Sequence, residues 1–145
     1  MTRIGFLISI VALAACLSCN SGSVRRSGIP AGAQTVLEAA IQDLDAGRYN
    51  QLYQNASVEW RNQSSETEST ATLQRLREKL GVARTRSLQT AREEQTGTAP
   101  VPGHSLIVLY QTTFDRAEGV ETFTLIEHDG QWALAKYYVS SSSLR

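Results

Sequence analysis

Hydrophobic and polar residues alternate along the last third of the chain in the pattern of β-strands. The alternation covers residues 105–114, 120–127 and 131–139. A period of two residues predicts strands that bury one face. The dipeptide Asp129-Gly130 between the last two stretches favours a two-residue hairpin turn, because both of its central positions need positive φ. This part of the chain therefore predicts an antiparallel sheet.

Upstream of these strands, apolar residues recur at the three- and four-residue spacing of amphipathic helices. The first helix is predicted to begin with Thr35 as its N-cap, with Glu38 completing a capping box, and to end at Gly47. Helical spacing continues over residues 49–62. This stretch forms either one further helix or two short ones, if Asn55 and Ser57 break it.

A second capping box, made by Ser65 and Glu68, predicts another helix that ends at Gly81. Residues 84–94 then predict a first strand with a weak pattern. We therefore expect an α+β fold in which N-terminal helices pack on one face of a curved antiparallel sheet of about four strands. This domain is expected to span residues 34–140, before a short tail at 141–145.

The tight turn also predicts a register for the sheet. A two-residue loop pairs Phe123 with Lys136 and Glu121 with Tyr138, and a four-residue loop before the second stretch pairs Tyr110 with Phe123. The bulky face, expected to take the helices, then carries Leu106, Val108, Tyr110, Phe114, Phe123, Leu125, Trp132 and Leu134. The flatter face carries Ile107, Leu109, Thr113, Val120, Thr122, Thr124, Ala133 and Ala135.

Two interactions are predicted from these faces. On the bulky face, polar residues gather at one end of the apolar surface. They form either the rim of a ligand pocket or an ion pair of Glu121 with Lys136 that closes the core. These residues are Tyr110, Thr112, Glu121, Lys136 and Tyr138. The flatter face is either half exposed or packed against a second copy of the chain. In the second case the homodimer contact is made by Thr122, Thr124, Ala133 and Ala135.

The N-terminus predicts export. Arg3 precedes an apolar run at residues 4–15, which is too short to span a bilayer of about 30 Å and is typical of a signal peptide. The ending Leu13-Ala14-Ala15-Cys16 resembles a bacterial lipobox. We expect residues 1–15 to be removed, Cys16 to be lipidated, and residues 16–33 to form a flexible tether.

Three alternatives stay open for this segment. Cys19 is a second candidate for the lipid, although the residues before it match the lipobox less well. The segment is otherwise a plain cleaved signal peptide with an incidental cysteine, or Cys16 and Cys19 form a redox or metal pair. The lipidated form predicts a protein anchored in the bacterial cell envelope, and we favour the outer membrane facing the periplasm.

Composition and motifs narrow the function. The 14 basic and 14 acidic residues balance, so no net charge attracts nucleic acid. The sequence contains no nucleophile elbow, phosphate-binding glycine loop or zinc-protease motif, and its two histidines lack neighbours at metal-ligand spacing. We therefore expect neither a cofactor nor a metal, and no enzymatic activity.

The chain resembles the bacterial family called domain of unknown function 4019. The resemblance rests on the order of Leu44-x-x-Gly47-x-Tyr49, Leu80-Gly81, Tyr110-x-Thr112-x-Phe114, Val120-Glu121-Thr122-x-Thr124, Gly130-x-Trp132 and Tyr137-Tyr138-Val139. It implies a cystatin-like or nuclear-transport-factor-like fold in a small envelope protein.

Three functions remain as hypotheses. The first is a non-enzymatic module that binds an envelope protein or polymer. The second is a small-ligand module that uses the cone between sheet and helices. The third, suggested by fold analogy alone, is an enzyme of the ketosteroid-isomerase type.

Overall fold

The computed structural model describes residues 28–96 and 103–145. Four helices come first: α1 (Ala31–Ala46), α2 (Tyr49–Gln54), α3 (Val58–Gln63) and α4 (Glu66–Leu80). Four strands follow, β1 (Ala83–Thr96), β2 (Gly103–Phe114), β3 (Glu118–His128) and β4 (Gln131–Ser140), and then a short 3-10 turn, η1 (Ser142–Leu144). The strands pair antiparallel in chain order, in an open sheet. The predicted α+β fold is confirmed.

The predicted signal peptide, Cys16, Cys19 and the tether up to residue 27 lie outside the described residues. Within the described ranges, no helix is both long and apolar enough to cross a membrane.

Local sequence signals account for three of the helices. The predicted break separates α2 from α3, and the Ser57 side chain accepts a hydrogen bond at the start of α3. The capping box at the start of α4 is confirmed, because Ser65 and Glu68 bond each other's backbone N–H groups. Gly47 and Gly81 follow α1 and α4, as predicted.

The start of α1 differs from the prediction. The helix begins at Ala31, and Thr35 lies inside it, where its hydroxyl donates to the Ala31 carbonyl at 3.2 Å. Pro30 occupies the N-cap position without a side-chain cap. Ala33 is fully buried, so packing against the sheet extends the helix beyond its polar capping signal. Residues 31–33 therefore lie in α1 and not in the predicted tether.

One hydrophobic core lies between the helices and one face of the sheet. Its buried members are Ala33, Leu37, Ala40, Leu44, Tyr49, Leu52, Leu73, Leu106, Val108, Phe123, Leu125 and Leu134. The sheet residues in this set all belong to the predicted bulky face, so the assignment of that face to the helices is confirmed.

The β3–β4 hairpin has the predicted turn, with Asp129 at φ 50° and Gly130 at φ 77°. Its register then changes once. Leu125 pairs with Leu134, but Thr124 pairs with Lys136, which leaves Ala135 as an extra residue in β4. Such a β-bulge shifts every later residue of the strand to the opposite face.

The predicted pairs beyond this bulge are wrong. Phe123 pairs with Tyr137, not with Lys136, and Glu121 pairs with Val139, not with Tyr138. The bulge is the physical reason, because the prediction assumed unbroken alternation along β4.

The register between β2 and β3 is also displaced from the prediction. Tyr110 pairs with Glu121, and Phe123 pairs with Val108. The turn is shorter than expected, since the Phe114 N–H donates to the Ala117 carbonyl at 2.8 Å. The displacement is two residues, so each side chain keeps its predicted face.

Candidate functional site

A polar cluster is buried under the helices at the end of the sheet where β2 turns into β3. We call it the Glu121 cluster, and it consists of Asp45, Arg86, Thr112, Glu121 and Tyr137. One helix and all four strands contribute a residue each. Glu121 and Thr112 are fully buried. A buried carboxylate requires partners, and the cluster supplies them.

Three side chains donate hydrogen bonds to the Glu121 carboxylate. Arg86 Nε and the Thr112 hydroxyl each lie 2.6 Å from Oε2, and the Tyr137 hydroxyl lies 2.6 Å from Oε1. Arg86 Nη2 adds a longer contact to Oε1 at 3.3 Å. Both carboxylate oxygens of Glu121 are thus occupied by the protein itself.

Arg86 also binds the end of α1. Its Nη1 and Nη2 atoms donate to the two carboxylate oxygens of Asp45, each at 2.8 Å. Arg77 on α4 donates to the carbonyls of Leu44 and Asp45 in the last turn of α1, at 3.0 and 2.9 Å. The Glu121 cluster therefore joins α1 to the sheet, and Arg77 joins α4 to the same end of α1.

The environment fixes the protonation of two members of the cluster. Burial alone would lower the pKa of Arg86, but its hydrogen bonds and charge interactions with Asp45 and Glu121 raise that pKa above its usual range. Burial raises the pKa of Tyr137 well above its usual value, and the neighbouring Glu121 charge adds to this effect. Arg86 is thus a permanent cation and Tyr137 a neutral donor at physiological pH.

The space beside the Glu121 cluster is small. A cavity of about 40 Å³ separates the cluster from α4, and apolar side chains such as Leu73, Leu76 and Phe114 form most of its wall. Pockets for organic ligands have volumes of about 300–1,000 Å³. The cavity has room for a few water molecules and for nothing larger.

The structure divides the five residues predicted at the pocket rim. Thr112 and Glu121 meet in the cluster, and Tyr110 lies on the same face, half-buried, with its ring edge-on to Phe123. Lys136 and Tyr138 are exposed on the opposite face of the sheet, because the Ala135 bulge reverses the end of β4. The predicted contact between Glu121 and Lys136 does not form.

Sequence reasoning missed three members of the cluster. Tyr137 is not among the predicted rim residues, because unbroken alternation along β4 puts its neighbour Tyr138 on the bulky face instead. Arg86 lies in β1, whose pairing with β2 is interrupted twice, between Ala83 and Thr85 and between Leu88 and Thr90, so its alternation is weak. Asp45 belongs to no motif. Its one local sign is its position, because an acidic residue in the last turn of a helix is unfavourable and thus indicates a partner elsewhere.

The face of the sheet opposite the helices carries a second recess. We call this face the open face. A groove of about 160 Å³ there is lined by Ile107, Thr122, Thr124, Lys136 and Tyr138. Tyr138 is 55% exposed, the most of any large hydrophobic side chain in the described ranges. Of the predicted homodimer contact, Thr124 and Ala135 are buried and Thr122 and Ala133 are partly accessible.

A histidine joins three strands at the other end of the sheet. The two ring nitrogens of His104 bond different carboxylates, Nδ1 that of Glu127 and Nε2 that of Glu93, the latter at 2.8 Å. Its ring is also edge-on to Trp132. The pKa of His104 is raised, first by Glu93 and then by Glu127. Because the two carboxylates lie on opposite sides of the ring, these three residues do not converge on one point as metal ligands.

No group of three or more histidine, cysteine, aspartate or glutamate side chains within residues 28–96 and 103–145 is arranged to hold a metal ion. No curated protein matches the sequence. The model of a family described as "Protein of unknown function (DUF4019)" matches residues 36–137, from α1 to β4. That match covers most of the chain and the whole of the Glu121 cluster, and it confirms the resemblance noted from the motifs. The chain belongs to the DUF4019 family.

Proposed function

We propose that this protein is a non-enzymatic module that binds a protein partner through the open face of its sheet. The observation that carries the proposal is the position of Tyr138 and Lys136. Both are exposed on β4 and line the groove of about 160 Å³, together with Ile107, Thr122 and Thr124. Exposed aromatic rings with an apolar body and a polar tip are typical of binding surfaces.

The geometry of the Glu121 cluster also favours a binding surface, because the cluster fits neither a catalytic site nor a ligand pocket. A general base needs a free carboxylate oxygen within reach of its substrate. Both oxygens of Glu121 already accept hydrogen bonds, and the adjoining cavity of about 40 Å³ is too small for a substrate. The small-ligand module and the isomerase-like enzyme therefore receive less support from the geometry than a binding surface does.

We further propose that the module is anchored in the cell envelope through a lipid on Cys16, with Cys19 as the alternative. The support is the sequence Leu13-Ala14-Ala15-Cys16 after an apolar run. Intact-mass spectrometry of protein from native membranes tests the anchor. We expect a chain that begins at Cys16 and carries acyl groups, and we expect Cys16→Ser but not Cys19→Ser to abolish the added mass. An unacylated chain with a free N-terminus would contradict the anchor.

A photo-crosslinking amino acid tests the binding surface. Placed at Tyr138 in cells of the source organism, it should yield one adduct of defined mass. The matched control is the same amino acid at Gln74, an exposed residue of α4 that lines neither the open-face groove nor the space between α4 and β4. No adduct at position 138, or equal adducts at both positions, would contradict the proposal.

A further inference from the structure

A second groove lies between α4 and the outer edge of β4. Its volume is about 190 Å³, and it is lined by Trp60, Gln63, Ser64, Ser69, Thr72, Leu73, Leu76, Ala135, Lys136 and Tyr137. One wall is helical and the other is the last strand of an open sheet. We call it the α4–β4 groove. A groove between a helix and a strand edge is the geometry in which several domains bind extended peptides.

The helical wall of the α4–β4 groove is held by a chain of hydrogen bonds. The Trp60 indole N–H donates to the Ser69 hydroxyl at 3.0 Å, and Ser69 donates to the Ser64 hydroxyl at 3.1 Å. The Tyr53 hydroxyl bonds the Ser64 carbonyl at 2.9 Å. The wall is therefore formed before any partner arrives, which lowers the entropic cost of binding.

The strand wall presents unpaired backbone groups. In the described part of the chain β4 pairs only with β3, and on its outer side the single backbone contact is the Ser57 N–H on the Leu134 carbonyl, at 2.9 Å. From Ala135 onward the outward N–H and C=O groups have no backbone partner among those residues. An unpaired strand edge is a template for another strand.

The other edge of the sheet carries more protecting features than β4, which has one register shift and one charged side chain, Lys136. Two register shifts interrupt the pairing of β1 with β2, and β1 carries the exposed charged residues Arg84, Arg92 and Glu93. Bulges and charges of this kind discourage strand addition. A partner strand is therefore expected to pair with β4 and not with β1.

The charges at the α4–β4 groove indicate what kind of strand it accepts. Lys136 lines the groove at the strand edge. Arg75 lies beside the helical wall, where it donates a hydrogen bond of 3.1 Å to the hydroxyl of the lining residue Thr72. Across the described residues neither cation lies within 4.0 Å of a carboxylate. Two cations at the groove without a carboxylate partner among the described residues favour an anionic occupant.

We infer that an extended, acidic peptide segment of the partner adds to the outer edge of β4 as a fifth strand, in the α4–β4 groove. The backbone of β4 supplies hydrogen bonds, and Lys136 and Arg75 select glutamate or aspartate side chains. This inference rests on the proposed protein-binding function, because it names the chemistry of the segment that such a partner inserts.

Fluorescence titration of the full-length chain in detergent micelles tests the inference, with Trp60 in the groove as the reporter. The probe is a capped synthetic peptide, Thr-Glu-Val-Glu-Thr-Glu-Val. We expect saturable binding below about 1 mM. We also expect at least about tenfold weaker binding by the double variant Lys136→Glu/Arg75→Glu, since both attractive charges become repulsive. A peptide with lysine in place of each glutamate should bind the double variant more tightly than the parent protein.

Two controls distinguish strand addition at β4 from nonspecific electrostatic attraction of the peptide. Arg92→Glu makes the charge change of one of these two substitutions on β1, at the far edge of the sheet, and should leave binding within about twofold, because exposed charges more than a Debye length apart are screened. The probe with N-methyl groups on alternate amides keeps its charge but cannot pair with a strand, and it should not bind.

Several results would overturn the inference: no binding by the acidic probe, equal binding by the N-methylated probe, or equal loss in Arg92→Glu and in the double variant. The crosslink from position 138 is measured separately. If that crosslink forms while the peptide titration fails, the protein-binding function stands and the strand-addition mode is wrong. If both fail, the function itself is wrong.

Discussion

Arg86 Nε lies 2.6 Å from Glu121 Oε2, although β1 and β3, which carry these residues, are not neighbours in the sheet. The bond passes over β2, where Thr112 donates to the same carboxylate oxygen. Asp45 completes the ion-pair arrangement from α1. Breaking a buried ion pair by removing one partner is more costly than replacing the whole pair, because the remaining charge stays buried.

Glu121→Gln should therefore destabilise the protein strongly. We expect the free energy of unfolding to fall by about 3 kcal/mol, because Arg86 loses its buried partner. Urea denaturation followed by circular dichroism measures the change. Glu118→Gln is the matched control on the same strand, where the side chain is exposed, and it should change stability by no more than about 0.5 kcal/mol. Equal effects of the two variants would show that the cluster does not stabilise the fold.

The adjacent tyrosines of β4 provide a direct test of the bulge. Tyr137→Phe removes a hydrogen bond of 2.6 Å to buried Glu121, and we expect a loss of about 1–3 kcal/mol of stability. Tyr138→Phe removes a hydroxyl on the exposed face, and we expect a change within about 0.5 kcal/mol. The same denaturation experiment compares them. A larger loss of stability in Tyr138→Phe than in Tyr137→Phe would contradict the bulge and support the register predicted without it.

Stability should depend on pH through His104. Glu93 and Glu127 favour the protonated imidazole, so the pKa of His104 in the folded protein lies above the usual 6.5. The stabilisation is therefore fully present below about pH 6.5 and is lost as the pH rises through the folded-state pKa. We expect the free energy of unfolding to decrease as the pH rises above about 6.5. Denaturation curves at several pH values measure this slope.

The variant His104→Gln should flatten that part of the pH profile. His128→Gln is the control, since His128 bonds a single carboxylate, that of Glu59, at 2.7 Å and is more exposed. An NMR titration of the two imidazoles provides an independent readout. An His104 pKa at or below its usual value would contradict the bridging geometry.

Gly81 is expected to tolerate no side chain. Its φ is 84°, a conformation that favours glycine, and an added Cβ would overlap the side chain of Asp115. That side chain accepts a hydrogen bond of 2.9 Å from the Val82 N–H and pairs with Arg84, so it cannot move without losing both partners. Gly81→Ala should lower stability by about 3 kcal/mol or more.

Gly28→Ala is the matched control for Gly81→Ala, because nothing lies within 4 Å of the added carbon. Thermal unfolding measured side by side should show a clear loss for the first variant and almost none for the second. A melting temperature for Gly81→Ala within about 2 °C of the parent protein would contradict the described contact.

Most of the fold is predictable from local signals in the sequence. The capping box at Ser65, the glycines that follow α1 and α4, and the Asp129-Gly130 turn all act within a few residues, and each has its predicted role. The start of α1 is not predictable in this way. It depends on the burial of Ala33 against the sheet, which is a long-range contact.

The site was predicted only in part, for the same reason. Thr112 and Glu121 follow the plain alternation of β2 and β3, so their shared face could be inferred. Tyr137 could not, because a bulge leaves no reliable mark in the sequence when the extra residue is an alanine. Arg86 and Asp45 are 41 residues apart in the chain and meet only in the folded protein.

The extra residue in β4 also has an evolutionary consequence. Deleting Ala135 alone would remove the bulge and leave every later side chain on its present face. Deleting Lys136 while the bulge stays at Ala135 would instead exchange the faces of the two tyrosines, so that Tyr137, the partner of Glu121, becomes exposed and Tyr138 becomes buried. Relatives that gain or lose one residue in β4 are therefore expected to do so at the position of Ala135, and an alignment of such relatives would record the bulge as a gap.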